Sequence, residues 1–146
     1  MERKTLLCML LLKTMKIAFV SRENAVRSIM AEAVAKKVFS DVGIKAEVFS
    51  AGTEPAEEVN PLTLQVLEKK GYPTKGLRPK PIAKIPYRKL DVLVTMCNEA
   101  KEKCEFVVSH KRRENWLIEE PSGGEASFMK TLEEVEEHIR GLIKLG

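Results

Sequence analysis

One junction constrains this chain more than any other. The apolar run Lys16-Ile17-Ala18-Phe19-Val20 predicts a buried strand, and Ile29-Met30-Ala31-Glu32-Ala33-Val34-Ala35 predicts the opening of a helix. Between them lie only Ser21-Arg22-Glu23-Asn24-Ala25-Val26-Arg27 and then Ser28. A strand, a tight loop and a helix N-terminus make an anion cradle. Backbone N–H groups can turn into such a loop, and the helix dipole favours negative charge there. Arg27 can fork two hydrogen bonds onto a tetrahedral oxyanion. A hydroxyl stands at each end, on Ser21 and Ser28.

The rest of the chain predicts more units of the same kind. A first helix is expected over 26–42, stopped by Gly43, and a second strand over 45–50. Asn60-Pro61 caps a helix over 62–70 that Gly71 ends. Three prolines, at 79, 81 and 86, make the basic stretch 74–90 mostly loop. A continuous apolar strand follows over 90–96, and a shorter one at Trp116-Leu117-Ile118. An amphipathic helix closes the chain over 128–145. Strands alternating with helices give an α/β fold with a four-stranded parallel sheet flanked by helices. Ligands of such sheets bind beyond the carboxyl ends of the strands. Ser21, Ser50, Cys97 and Glu120 each follow a strand, so all four can meet at one rim.

Composition narrows the function. At 146 residues, 44% hydrophobic and 32% charged, the chain fits one soluble domain. A net charge of +4 is too small to imply nucleic acid. Three cysteines, Cys8, Cys97 and Cys104, do not make a disulfide framework. They fit a cytoplasmic protein. The apolar stretch within residues 1–14 is too short to span a membrane and lacks a cleavage site. It is expected to be an extension or a misassigned start before Met15, with the domain over 15–146. No metal spacing is present, and no cofactor is expected. His110-Lys111-Arg112-Arg113 and the basic stretch read as solvated charge.

The chain resembles the low-molecular-weight protein tyrosine phosphatase superfamily, and within it the thioredoxin-coupled arsenate reductases. The residues that carry the resemblance are Phe19 to Glu32, Ser50-Ala51-Gly52-Thr53, Val59-Asn60-Pro61, Val94-Thr95-Met96-Cys97, Cys104, and Trp116 to Pro121. It implies a fold like that of phosphotyrosine protein phosphatase I, with a phosphate-binding loop made by residues 21–28. By position, Ser21 takes the nucleophile's place, and Arg27 with the loop amides of Arg22, Glu23, Asn24, Ala25 and Val26 holds the oxyanion. Asn24 and Ser28 shape the loop, and Ser50 braces Asn24. Glu120 stands where the family has an aspartic acid that protonates a leaving group. Cys97 and Cys104 match the reductases' resolving thiols. Some members hold a monovalent cation near the positions of Asn24, Glu32 and Ser50.

The resemblance puts cysteine at position 21, and serine has no accessible anion near neutral pH, whereas a loop thiol does. Serine there is either a ligand-trapping substitution or a natural loss of the covalent chemistry. The function classes are therefore an arsenate reductase, a phosphomonoester hydrolase of the tyrosine phosphatase type, or a non-catalytic phosphate or arsenate binder. Expected partners are arsenate, phosphate or sulfate, and thioredoxin for the reductase. Neither nucleic acid nor membrane is expected.

Overall fold

The computed structural model describes residues 14–104 and 112–145. The described chain runs β1 (Met15–Ser21), α1 (Arg27–Asp41), β2 (Ala46–Gly52), α2 (Pro61–Lys69), a short 3₁₀ turn (Ile82–Lys84), β3 (Val92–Thr95), α3 (Asn98–Cys104), β4 (Arg112–Asn115) and α4 (Glu125–Leu145). All pairings are parallel, in the order β2-β1-β3-β4. Ser21 lies opposite Gly52, Val20 opposite Thr95, and Thr95 opposite Asn115. This register brings the four carboxyl ends to one edge. The chain leaves β1 for β2 on one side and later returns through β3 on the other. The crevice beyond β1 and β3 is thus the switch point at which ligands of such sheets bind.

Alternation along β1 divides the core in two. Ile17 and Phe19 face a large cluster containing Met30, Val34, Val66, Leu67, Leu132 and Ile139 from α1, α2 and α4. Ala18 and Val20 face a smaller cluster of Ala51, Ile85, Leu90, Leu93, Ala100 and Cys104. Each large apolar side chain fully buried here contributes roughly 1.5–3 kcal/mol, so the first face carries most of the stability.

The stops are where the turn chemistry puts them. Gly43 and Gly71 adopt φ +77 and +78 after their helices, a region that costs glycine little. The Asn60 side chain accepts the Leu62 N–H at 2.9 Å and caps α2.

The fourth strand needs correction. It is Arg112–Asn115, not 116–118, and Arg112 and Arg113 are therefore strand residues rather than solvated loop. Pairing reaches Trp116, whose N–H donates to the Thr95 carbonyl at 2.8 Å, and stops. The apolar character at 116–118 serves packing: Trp116 and Ile118 are buried while Leu117 is exposed. The basic stretch is mostly loop as expected, but Ile85 and Leu90 are buried in the smaller cluster. The last helix begins three residues early, at Glu125. Among the described residues no helix is long and apolar enough to cross a membrane. The N-terminal extension, Cys8, His110 and Lys111 lie outside the described residues.

Candidate oxyanion site and thiol helix

Residues 21–28 fold into a loop whose carbonyls point outward. The Ser21 carbonyl accepts from Thr53 N (3.1 Å), that of Arg22 from Glu54 N (2.7 Å), and that of Glu23 from Ala56 N (2.9 Å). The Ala25 carbonyl accepts from Asn60 N and from the Thr63 hydroxyl. With the acceptors taken up outside, the N–H groups of residues 23–26 are left without a partner among the described residues. The helix behind them adds to this. Val26 provides no side-chain cap to α1, and no acid sits in its first turn. The bare helix N-terminus and the free loop amides form one positive concavity.

Two residues let the loop close this tightly. Asn24 sits at φ +53, a left-handed conformation that asparagine adopts more readily than most. Gly52, opposite Ser21 in the sheet, leaves room for the loop to cross it. A Cβ there would stand 2.8 Å from the Arg22 carbonyl oxygen and 3.0 Å from the Asn24 Cβ.

The polar side chains beneath the loop form one buried chain. Asn24 Nδ2 donates to Ser28 Oγ at 2.7 Å and to Ser50 Oγ at 3.0 Å. Its Oδ1 accepts the Lys80 backbone N–H at 3.0 Å. Ser50 Oγ donates to the buried Glu32 carboxylate at 2.5 Å. Ser28 Oγ, already an acceptor for Asn24, lies 2.7 Å from Ser21 Oγ. Either hydroxyl can donate in this contact; with Ser28 as the donor, its proton would stabilise negative charge on the Ser21 oxygen.

A monovalent cation does not fit beside Glu32. Lys36 Nζ already sits 2.6 Å from one carboxylate oxygen, and Lys80 Nζ lies 3.9 Å from the other while donating to the Ser50 carbonyl at 3.1 Å. These ammonium groups supply the positive charge that a buried carboxylate needs. Among the described residues no group of three metal-binding side chains occurs.

Arg27 is buried at the mouth of the loop. Nη1 donates to the carbonyls of Met96 (3.3 Å) and Ile118 (3.1 Å), which ties the ends of β3 and β4 to α1. Nη2 lies 3.8 Å from the exposed Glu120 carboxylate. Nε is buried and has no partner among the described residues, so its N–H and those of Nη2, which makes no hydrogen bond among the described residues, are left for an incoming oxyanion. Glu120 is held beside Arg27 at the loop, whereas Ser50, expected just past its strand, lies within β2 and is buried beneath the loop on Asn24 and Glu32.

Of the other loop residues, Ala25 and Val26 are buried. Arg22 and Glu23 are exposed, and Arg22 is engaged by Glu54 and Glu99. Cys97 is half-buried just before α3, and its Sγ accepts the Ala100 N–H at 3.4 Å. Cys104 closes α3 and is fully buried. Burial pushes its thiol up to about 11, partly opposed by the Arg113 charge.

Sequence reasoning missed Lys80 and Gly52 as supports of the loop. The run of cations over 74–90 hides Lys80, since nothing local separates it from its solvated neighbours. Gly52 follows the predicted second strand, and a glycine at that point is the available signal of a close backbone approach.

Comparison with known proteins gives the same picture. The description "low molecular weight phosphotyrosine protein phosphatase" matches residues 16–145. An arsenate reductase of Oceanobacillus iheyensis is 31% identical over 132 residues, covering 88% of this chain and 92% of the relative. A solved arsenate reductase in a phosphate-binding state superposes with a TM-score of 0.73 at 26% identity, over 89% of this chain and 97% of that one. A cysteine-to-serine mutant of the arginine phosphatase YwlE, with its active-site serine phosphorylated, superposes with a TM-score of 0.73 at 26% identity, over 90% and 95%.

Proposed function

The chain belongs to the low molecular weight phosphotyrosine protein phosphatase family, and from that premise we propose that it is an arsenate reductase-like enzyme that captures arsenate or phosphate in the loop of residues 21–28. One observation carries the reading: in the loop that begins at Ser21 the carbonyls are bonded outward, while the amides of residues 23–26 and Arg27 Nε have no partner among the described residues. The arsenate reductases among its relatives support the substrate class.

In this reading the loop amides and Arg27 bind the oxyanion, and Asn24, Ser50 and Ser28 hold Ser21 in line. Ser21 supplies a weak nucleophile. Its oxygen can form an ester with the anion, as the phosphorylated active-site serine of the YwlE mutant illustrates in a relative. Cys97 and Cys104 are the electron source. With a thiol at position 21, its sulfur bonds arsenic as water leaves. Cys97 attacks that sulfur, the S–As bond breaks with its electron pair going to arsenic, and arsenite leaves. Cys104 then attacks Cys97, frees the thiol at position 21 and forms the Cys97–Cys104 disulfide, which thioredoxin reduces in the cytoplasm. A seryl oxygen cannot take the Cys97 step. A thiol at position 21 would be ionised and nucleophilic at a helix N-terminus. Ser21→Cys is therefore expected to gain arsenate turnover with thioredoxin, against little in the serine protein. Robust turnover by the serine protein, or none by Ser21→Cys, contradicts the assignment of position 21.

The second reading is a phosphatase, favoured by Glu120, whose carboxylate lies 3.8 Å from Arg27. There Glu120 protonates the leaving alcohol and water hydrolyses the ester. Release of p-nitrophenol from its phosphate by Ser21→Cys, abolished by adding Glu120→Gln but unaffected by Cys97→Ala, identifies that chemistry instead. An oxyanion bound by both forms with turnover by neither identifies a binding protein.

A further inference from the structure

Four charged side chains close a ring at the mouth of the anion loop. Arg22 Nε and Nη2 donate to Glu54 Oε2 at 3.3 and 3.2 Å. Lys103 Nζ lies 3.5 Å from Glu54 Oε1 and 3.4 Å from Glu99 Oε1. Glu99 Oε2 lies 3.6 Å from Arg22 Nε, completing the circuit. The signs alternate around the ring. Its members come from three places: Arg22 from the anion loop, Glu54 from the loop after β2, and Glu99 and Lys103 from α3. The charges act on one another. Glu54 holds the Arg22 guanidinium above its ordinary value, and Arg22 with Lys103 holds the Glu54 carboxyl below its own.

What the ring fastens is otherwise thinly held. In α3 only Ala100 and Cys104 are buried. Beyond these, among the described residues the helix is tied by the Cys97 Sγ bond at its start and the 2.9 Å bond from Arg113 Nη2 to the Cys104 carbonyl at its end. The two thiols are also seven positions apart, Cys97 just before α3 and Cys104 at its end. They stand about 10.5 Å apart along the axis, whereas a disulfide needs Cα atoms within roughly 7 Å. The helix must open before they can join.

We propose that Arg22, Glu54, Glu99 and Lys103 form a latch that clamps α3 onto the anion loop and keeps Cys104 buried, so that its release is the step that exposes Cys104. The proposal rests on the thiol-pair reading for its purpose, though not for its test. Single exposed ion pairs stabilise little. A four-membered ring across three segments acts on a helix with so few buried anchors, where a small change in opening free energy is directly visible. Anything that draws Arg22 toward an anion in the loop would loosen the same ring, and by linkage a released α3 alters anion affinity.

The test reads Cys104 accessibility in the full chain with Cys8 replaced by Ala. Alkylation of Cys104 by iodoacetamide, followed by peptide mass spectrometry, is compared between the parent and Glu54→Gln/Glu99→Gln. The double variant is expected to label Cys104 about fivefold faster, with Cys97 labelling unchanged. Raising salt should accelerate the parent toward the variant and leave the variant unmoved, because salt screens exposed charges. Lys103→Met is a second variant that should behave like the first. The salt arm needs no variant and so stands if both fold poorly. Equal, salt-insensitive rates in all proteins overturn the latch.

A parallel arm adds diamide. It accepts two electrons and two protons as both S–H bonds break and the Cys97–Cys104 bond forms. Faster labelling with faster disulfide formation supports both the latch and the thiol pair. Faster labelling without a disulfide supports the latch and contradicts the thiol-pair reading.

Discussion

From Ser21 to Ser28 only Arg22 and Glu23 are exposed. Asn24 meets Ser28, Ser50 and Lys80, the carbonyls of residues 21–23 and 25 are bonded to the segment after β2, and Gly52 is pressed against the loop from behind. In α3, which follows β3 at the same sheet edge, only Ala100 and Cys104 are buried, and the other anchors are one bond at each end and a set of surface charges. The loop is over-determined and the helix is under-determined. An oxyanion cradle gains from donors that need no rearrangement when charge arrives. A pair of thiols that must close a distance gains from a segment that opens at low cost. The two regions divide the chemistry between holding and moving.

The sharpest way to break this division is to remove the donor at the centre of the cradle. Arg27→Ala is expected to weaken phosphate binding by about 2–5 kcal/mol, the usual cost of removing one partner of a desolvated charge pair. Calorimetry on the two proteins checks it, and equal affinities would falsify the assignment of the cradle. Next in size is the wall behind the loop. Gly52→Ala places a methyl 2.8 Å from the Arg22 carbonyl oxygen, a backbone atom with nowhere to go. Overpacking of this kind costs about 1–3 kcal/mol. Denaturant unfolding should show that loss, and anion affinity should fall with it. An unchanged midpoint means that the loop is less fixed than described.

How much of this was legible beforehand depends on whether the signal was local. The strand at 16–20, the loop ending in Arg27-Ser28, the Asn60 cap and the Gly43 and Gly71 stops are all written in neighbouring residues, and the structure has each of them. The sheet order follows from strand–helix alternation. The sequence pattern misses β4 because Arg112–Asn115 is a short polar edge strand with no apolar alternation, while Trp116 and Ile118 carry the hydrophobic signal for packing instead. Lys80 reaches Ser50 and Asn24 across the fold, and its sequence neighbours give no hint of that. The ring of Arg22, Glu54, Glu99 and Lys103 is likewise a product of tertiary placement. Resemblance supplied the grouping of Asn24, Ser28 and Ser50, which no spacing rule would have joined.

A smaller effect sharpens the other half of the comparison. Burial raises the Cys104 thiol from 9.0 to about 11. A group whose folded value is raised holds its proton longer folded than unfolded. Its contribution is fully present below pH ~9 and is lost as pH rises through about 11. Stability measured by denaturant should therefore decline over that window, and Cys104→Ala should flatten the part of the slope that this thiol supplies. An identical slope in the two proteins would show that Cys104 is already open to solvent in the folded state.

Amide hydrogen exchange with and without phosphate tests the central claim most directly, because it reads the cradle and the helix in one experiment. The N–H groups of residues 23–26 have no partner among the described residues, so they should exchange quickly in phosphate-free buffer and slow markedly when phosphate is added. The body of α1 should be slow in both conditions, and α3 fast in both. Loop amides that exchange at the same rate with and without phosphate, or an α3 as protected as α1, would contradict the account.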